Sequence, residues 1–431
     1  MSQSRNFSRR QWLMTVGKAT AAGAALALAP AYARGAAGKV VVIGGGFGGA
    51  TAAKYVKRRN PAIDVTLIEP AKTYYTCPFT NLYFGGLRTF EQQGHGFDEL
   101  RSMGVKIVHD FASGIDAGSK TVTLAGGDTL SYDRLLLSPG IDFRWNALEG
   151  YDEAASQLAP HAWKAGDQSV LLKKQLDAMR DGGSFVMVAP ANPFRCPPGP
   201  YERVSMVAHY LKHNKPKSKI LILDAKDAFS KQGLFQAGWD RFYGDLIEWV
   251  PMSKDGKVVR VDAANLSVET EFGEIHKADV LNVIPPQKAG AIAEIAGVTN
   301  ESGWVPVKPL TFESELVSDI YVVGDATIAS PMPKSGFSAN AQAKVAAAAI
   351  VSSLAGQPPA IATFANTCYS LIAPDYGISV ASTYQIEDGK IVEASGGVSP
   401  ADADDTFRKL EAEYGVSWYQ AIALDSWGTR A

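Results

Sequence analysis

Lys39-Val40-Val41-Val42-Ile43-Gly44-Gly45-Gly46-Phe47-Gly48-Gly49 is the stretch that decides the fold. The unbroken apolar run after Lys39 reads as a strand buried on both faces, as in parallel sheets. The glycines follow at once, Ala50 to Lys57 continues as a helix, and a second apolar strand, Asp64 to Ile68, ends in Glu69. Strand, glycine turn, helix, strand and acid in that order predict a βαβ unit that binds a dinucleotide. Gly44 permits the tight turn, Gly46 lets the backbone approach a pyrophosphate, and Gly49 lets the helix close on the strand. Glu69 stands where it accepts hydrogen bonds from a ribose.

Outward from this unit, Val105 to Val108, Thr121 to Leu124 and Arg134 to Leu137 read as strands, and the first domain pauses near residue 150. A second βαβ pattern follows, with a helix from Ser169 to Met179 and strands at Ser184 to Val188 and Lys219 to Leu223, the latter ending at Asp224. Where its glycine loop is expected, the chain reads Ala189-Pro190-Ala191-Asn192-Pro193-Phe194-Arg195-Cys196. Two prolines and bulky side chains keep a backbone from closing on a pyrophosphate, so a pyridine nucleotide is not the expected electron source. Val280 to Ile284 and Ile320 to Val323 read as strands returning to the first domain, and the tail holds strand-like pieces and a late helix. The expected division is 34–150 with 280–356 for the first domain, 151–279 for the second, and 357–431 for a capping layer.

Tyr321-Val322-Val323-Gly324-Asp325-Ala326 resembles the second flavin fingerprint of the glutathione-reductase-like flavoproteins, in which the aspartate bonds the ribityl chain. Taken alone, those residues fit a plain strand-to-helix turn capped by Asp325 equally well. Together with the first motif they make FAD the expected dinucleotide. Lys334-Ser335-Gly336 opens a helical run to Ile350, whose first N–H groups then face the flavin's pyrimidine edge. The fold class is therefore α/β: two Rossmann-like dinucleotide-binding domains of the glutathione-reductase-like type plus a C-terminal capping or interface domain.

The N-terminal Ser8-Arg9-Arg10-Gln11-Trp12-Leu13, an Ala-rich run and Ala31-Tyr32-Ala33 read as a twin-arginine signal over residues 1–33. Its apolar run is shorter than the ~20 residues of a spanning helix. The expected location is periplasmic, with no integral membrane segment in the mature chain. A formal net charge of -2 gives no reason to expect nucleic acid. Three cysteines, Cys77, Cys196 and Cys368, cannot all close into intrachain bridges, and no Cys-x-x-Cys-His motif exists to hold a c-type haem. Cys196 lies where a nicotinamide would approach and Cys368 lies in the capping layer. A structural bridge and a redox pair are both open on position alone. Cys77, in Tyr74-Tyr75-Thr76-Cys77-Pro78-Phe79, falls close to where a flavin ring would lie.

Several runs together carry a more specific likeness: Gly44 to Gly49, Tyr74 to Cys77, Pro193 to Arg203, Ile284-Pro285-Pro286-Gln287, Val323-Gly324-Asp325, Pro331 to Gly336, and Asn366-Thr367-Cys368-Tyr369. With these the mature chain resembles the flavoprotein subunit of flavocytochrome c sulfide dehydrogenase and, more distantly, sulfide:quinone oxidoreductases. The resemblance implies a thioether from Cys77 to the FAD, a redox disulfide between Cys196 and Cys368, and Glu202 nearby as acid or base. It also implies sulfide as substrate and a separate c-type cytochrome subunit, carrying the haem, as electron acceptor. Two alternatives remain: a sulfide:quinone oxidoreductase, which would carry an apolar or amphipathic tail unlike the mixed run from Phe407 to Ala431, and a non-catalytic flavin-binding partner subunit.

Overall fold

The structure is a computed structural model that describes residues 38–428; the twin-arginine segment lies outside the described residues. The glycine unit forms as the sequence predicts. Strand β1 (Lys39–Ile43) runs into helix α1 (Phe47–Arg59), followed by β2 (Asp64–Ile68), β3 (Val105–Val108) and β4 (Arg134–Leu137). Val40 to Ile43 are all buried, and β1 pairs in parallel with β2 on one side and β4 on the other. Lys57, Arg58 and Arg59 close the last turn of α1, where cations oppose the helix dipole.

The second unit holds α2 (Asp167–Ala178), β5 (Ser184–Ala189), α3 (Gly199–Asn214), β6 (Lys219–Asp224), α4 (Gln232–Phe242) and β7 (Ile247–Val250). After a three-stranded antiparallel ribbon over residues 258–277 comes β8 (Val280–Val283). The four strands lie in the order β7-β6-β5-β8, all parallel. This corrects the expectation that Val280 to Ile284 returns to the first domain: Phe185 to Val188 pair with Val280 to Val283, and the second unit extends through this strand. An apolar run suits either sheet, and the polar tip of Asn282 decides between them. Its Nδ2 donates to the carbonyls of Pro160 and His161 at 2.7 and 2.9 Å, and its Oδ1 accepts from Arg203 at 3.0 Å, partners found only here.

The return to the first domain comes with β9 (Ile320–Val322), giving the parallel order β9-β4-β1-β2-β3, and then α5 (Gly336–Leu354). Helix α5 packs against α1, and both helices are rich in small buried residues, among them Ala50, Ala52 and Ala53 on α1 and Ala339, Ala343 and Ala346 on α5. The tail forms an antiparallel sheet, β10 (Phe364–Ala373), β11 (Tyr376–Glu387) and β12 (Lys390–Val398), and a final helix α6 (Asp405–Trp427). Asp404 caps α6 by accepting the N–H of Phe407 at 2.9 Å.

Helix α6 reaches back to the glycine loop. Trp427 is fully buried, donates Nε1–H to the carbonyl of Gly45 at 2.9 Å, and stacks on His95 at 4.6 Å. Tyr419 shares hydrogen bonds with Thr76 Oγ1 at 2.7 Å and His95 Nε2 at 3.0 Å, fixing the segment that carries Cys77. Among the described residues no helix is long and apolar enough to cross a membrane. Truncating a buried tryptophan removes its packing and leaves a cavity, costing ~3–5 kcal/mol. We therefore expect Trp427→Ala to lower the thermal midpoint and to loosen flavin retention, whereas Trp418→Ala, at a half-buried site, lowers the midpoint less; an unchanged midpoint for Trp427→Ala would mean that α6 does not brace the loop.

Candidate active site

The glycine loop is built for a close approach. Gly44 has φ +99°, and a Cβ there would lie 2.3 Å from the carbonyl oxygen of Ser138; one at Gly49 would lie 1.8 Å from that of Gly44. Gly46 stands at the N-cap of α1 with no side-chain cap and no acid in the first turn, leaving the helix's donor end free for an anion. Glu69 accepts the N–H of Gly45 at 2.7 Å through one oxygen and that of Ala71 at 2.9 Å through the other. It thus braces the loop, and each oxygen keeps a lone pair for a ribose hydroxyl.

In front of this loop opens a cleft of about 110 Å³. Gly46, Cys77, Cys196, Glu202, Gly324, Asp325, Ser335, Gly336 and Cys368 all line it. Gly44, Gly49 and Glu69 shape the loop from behind. One concavity therefore collects the expected cofactor and sulfur residues from all three layers. A flavin dinucleotide fits what lines it. Asp325 Oδ1 is buried with no hydrogen-bond partner, which suits a hydroxyl such as one on a ribityl chain. Burial pushes the Asp325 carboxyl up, against the pull of Arg195 and Lys334. At the far end Ser335 caps α5, accepting from Ser338 N at 3.1 Å and donating to Asn366 at 2.6 Å.

Cys196 sits in the loop between β5 and α3 with φ +59°, the left-handed region that a β-carbon disfavours. Its N–H donates to the carbonyl of Lys334 at 2.8 Å, and its own carbonyl accepts from Gly199 at 2.8 Å. A Cβ on Gly199 would come within 2.9 Å of the Cys196 sulfur, so the first residue of α3 is small where the thiol needs room. Cys368 projects from β10, its sulfur 3.7 Å from the Asn366 amide. All three cysteines are free thiols in this structure, so the bridge that the resemblance implies is not formed here.

The two facing sulfurs differ in their surroundings. Burial pushes the Cys196 thiol up, and nearby Glu202 adds to it. Burial also raises Cys368, but there Lys231 and the Asn366 hydrogen bond pull back toward the thiolate. Glu202 lies between them in influence: removal from water raises it to about 7, opposed by Lys231 and by hydrogen bonds from Ser370 and Asn81. Lys231 is buried at the N-cap of α4, with Nζ 2.8 Å from the hydroxyl of Ser370, which shares a face of β10 with Cys368. Burial pulls its ammonium down while Cys368 and Glu202 hold it up.

Lys231 and Asn366 meet the two sulfurs and Glu202 here, and the sequence does not single them out: Asn366 is one residue of a longer motif, and Lys231 carries no local signal. In the β5–α3 loop Phe194 is buried, and the N–H of Arg195 is taken by Gln287 Oε1 at 2.9 Å.

Three family profiles match consecutive parts of the chain. They are pyridine nucleotide-disulphide oxidoreductase over 38–178, the central part of the sulfide dehydrogenase [flavocytochrome c] flavoprotein chain over 169–285, and the flavocytochrome c sulphide dehydrogenase flavin-binding part over 360–427. The flavoprotein chain of sulfide dehydrogenase [flavocytochrome c] from Chlorobaculum thiosulfatiphilum is 58% identical over 43 residues, which is 10% of this chain and 90% of that one. This chain belongs to the flavoprotein chains of flavocytochrome c sulfide dehydrogenase. It is an FAD-binding oxidoreductase of that family. Mouse mitochondrial sulfide:quinone oxidoreductase is 22% identical over 313 residues, 67% of this flavoprotein and 65% of the mouse protein's length. The crystal structure of sulfide:quinone oxidoreductase from Aquifex aeolicus has the same fold, with TM-score 0.69 and 20% identity over 90% of this chain and 92% of that one.

The electrostatics around Glu202 give a direct test. Its carboxyl carries a proton below pH ~7 and loses it above, so the protonated-acid carbonyl band in infrared spectra should fade as pH rises through about 7. The band should be missing in Glu202→Gln. Lys231→Met removes the ammonium that favours the carboxylate, and the midpoint should move upward. A midpoint that stays put would show that Lys231 and Glu202 are not coupled.

Proposed function

We propose that this flavoprotein oxidises sulfide in the periplasm through Cys196 and Cys368, beside an FAD joined covalently to Cys77, and passes the electrons to a c-type cytochrome chain. The observation that carries this reading is the convergence of all three cysteines, from three different layers, on the cleft that the glycine loop and Asp325 mark for the dinucleotide. Bound there, the isoalloxazine would supply a two-electron acceptor that can release its electrons one at a time to a haem.

The chain's own residues do the rest. In the oxidised, bridged form of the pair, the sulfur of hydrosulfide bonds to Cys196, the bond between Cys196 and Cys368 breaks, and its electron pair leaves on Cys368. Lys231 and Asn366 favour negative charge on that sulfur, which makes Cys368 the better leaving group and the one to hand electrons onward. Glu202, poised near neutrality, accepts the proton when the substrate arrives as hydrogen sulfide. The sulfane sulfur stays on Cys196. The β5–α3 loop is spent on presenting this cysteine, which supports a donor other than a nicotinamide.

A cytochrome is favoured as acceptor because the family profiles and the Chlorobaculum relative pair this kind of flavoprotein with one by name. Sulfide:quinone oxidoreductases share the fold at 20% identity. In this chain, however, Tyr419 and Trp427 of the final helix are buried in internal contacts.

Two experiments test the reading. Under argon, sulfide should bleach the flavin of the wild type, and Cys196→Ser or Cys368→Ser should abolish that bleaching while dithionite still reduces both. Rapid bleaching by sulfide in either serine variant would return the pair to a structural role. On a denaturing gel the wild-type band should fluoresce with attached flavin and Cys77→Ala should not, although the variant keeps noncovalent FAD because the pyrophosphate and ribityl contacts remain; flavin free in the wild-type supernatant would refute the covalent bond.

A further inference from the structure

Cys196 lines a second, smaller cavity of about 20 Å³ behind the flavin cleft, enough for one water-sized occupant. Cys77, Trp163, Arg195, Gly199 and Arg203 share its wall, and no carboxylate does. Cys368 lines only the flavin cleft.

The donors around this cavity are in excess of the acceptors. Trp163 is 5% exposed and its Nε1–H is buried with no partner, as is the Nε–H of Arg195. Arg203 is 3% exposed and bonds only neutral oxygens: the side chains of Asn81 and Asn282 and the carbonyls of His161 and Ala162. The indole of Trp163 lies 4.9 Å from its guanidinium carbon. Gly199 begins the 16-residue helix α3, whose N-terminus has no side-chain cap. A buried cation whose hydrogen bonds all go to neutral acceptors is costly, and Glu202 nearby offsets only part of that cost, leaving room for a second anion.

We propose that this cavity holds hydrosulfide, the substrate's own anion, against the face of Cys196 turned away from Cys368. The inference rests on the sulfide reading above and adds the place from which the substrate attacks. Displacement at a disulfide sulfur runs in line, with the incoming and leaving sulfurs on opposite sides. Cys196 borders both cavities and Cys368 only the larger one, so an anion in the small cavity meets Cys196 and not Cys368. The hydrosulfide sulfur bonds to Cys196 as the bond to Cys368 breaks, the bridged pair being the oxidant, and Cys368 receives the electron pair. The small volume excludes larger oxyanions, and the positive lining favours the ionised form of the substrate over neutral hydrogen sulfide.

The test uses the flavin-loaded protein in anaerobic stopped flow. Trp163→Phe keeps the ring and removes the N–H donor. The sulfide concentration giving half-maximal flavin reduction should rise about tenfold, the size expected when one hydrogen bond to an ion is lost. The limiting rate should stay within about twofold, since the sulfurs and Glu202 are untouched. Bromide, similar in size and charge, should compete with sulfide in the wild type, and its anomalous scattering should mark the cavity in crystals. An unchanged half-saturation in Trp163→Phe with no bromide peak beside Cys196 would overturn the inference and leave the sulfide reading intact. Wild-type flavin that sulfide does not bleach would instead overturn that reading itself. If Trp163→Phe folds poorly, bromide competition and scattering in the wild type decide alone.

Discussion

The N–H of Cys196 donates to the carbonyl of Lys334 across 2.8 Å, and the site depends on that bond. It joins the loop after β5, in the second domain, to the segment that opens α5 in the first. Buried backbone donors outside a sheet must find such partners or pay a desolvation cost. The loop has no ladder to join, so the neighbouring domain supplies the acceptor. With that bond made, and with the Arg195 N–H held by Gln287, the left-handed conformation of Cys196 is over-determined by its surroundings. The thiol is thereby aimed at the cleft instead of along the β5–α3 turn.

The capping layer is tied to the same point from the other side. Ser335 both caps α5 and donates to Asn366, and the Asn366 amide lies against the sulfur of Cys368. A displacement of α5 would therefore move the helix start at Ser335, the Lys334 carbonyl and Cys368 together. Helix α6 adds the third tie, from Trp427 to Gly45 and from Tyr419 to Thr76, so the glycine loop and the Cys77 segment follow the tail. Close packing makes these links stiff. A site assembled from three layers keeps its geometry only because each layer is bonded to the next within a few residues of the reacting sulfurs.

Much of this was legible in the sequence because it is carried by local patterns. The glycine loop with Glu69, the strand ending in Gly324-Asp325, and the helix start at Ser335-Gly336 are each a turn geometry written in adjacent residues. The proline-filled loop at Ala189 to Cys196 is a local pattern of the same kind. The three cysteines stood out by rarity. What stayed hidden depends on tertiary placement. Val280 to Val283 is buried on both faces and, Asn282 apart, suits either sheet; Asn282 finds its partners in the second, over a hundred residues away. Lys231 begins an ordinary helix, and nothing near it in sequence points to Ser370, Glu202 or Cys368.

The buried cations of the site share one property, and it bears on the chemistry proposed for the cysteines. Lys231, Arg195 and Arg203 are cations placed out of water around sulfur; Arg195 pairs with Asp325 at 4.0 Å, and Glu202 acts on Lys231 and Arg203 without bonding either. Lys231 is met by a hydroxyl and Arg203 by carbonyls and amides. Burying them in this way costs stability: burial pulls Arg203 down to about 9 and lowers Lys231 as well. A fold under selection for stability alone would pair or replace them. Their worth lies in a state where negative charge appears on sulfur, on the incoming anion first and on the departing thiolate afterwards. Because the cations are fixed before that charge develops, the protein has little reorganisation left to do when the bond breaks. Arg203 on the side of Cys196 and Lys231 on the side of Cys368 stand at the two ends of the displacement. In the proposed displacement the charge would move from one to the other through the sulfur between them.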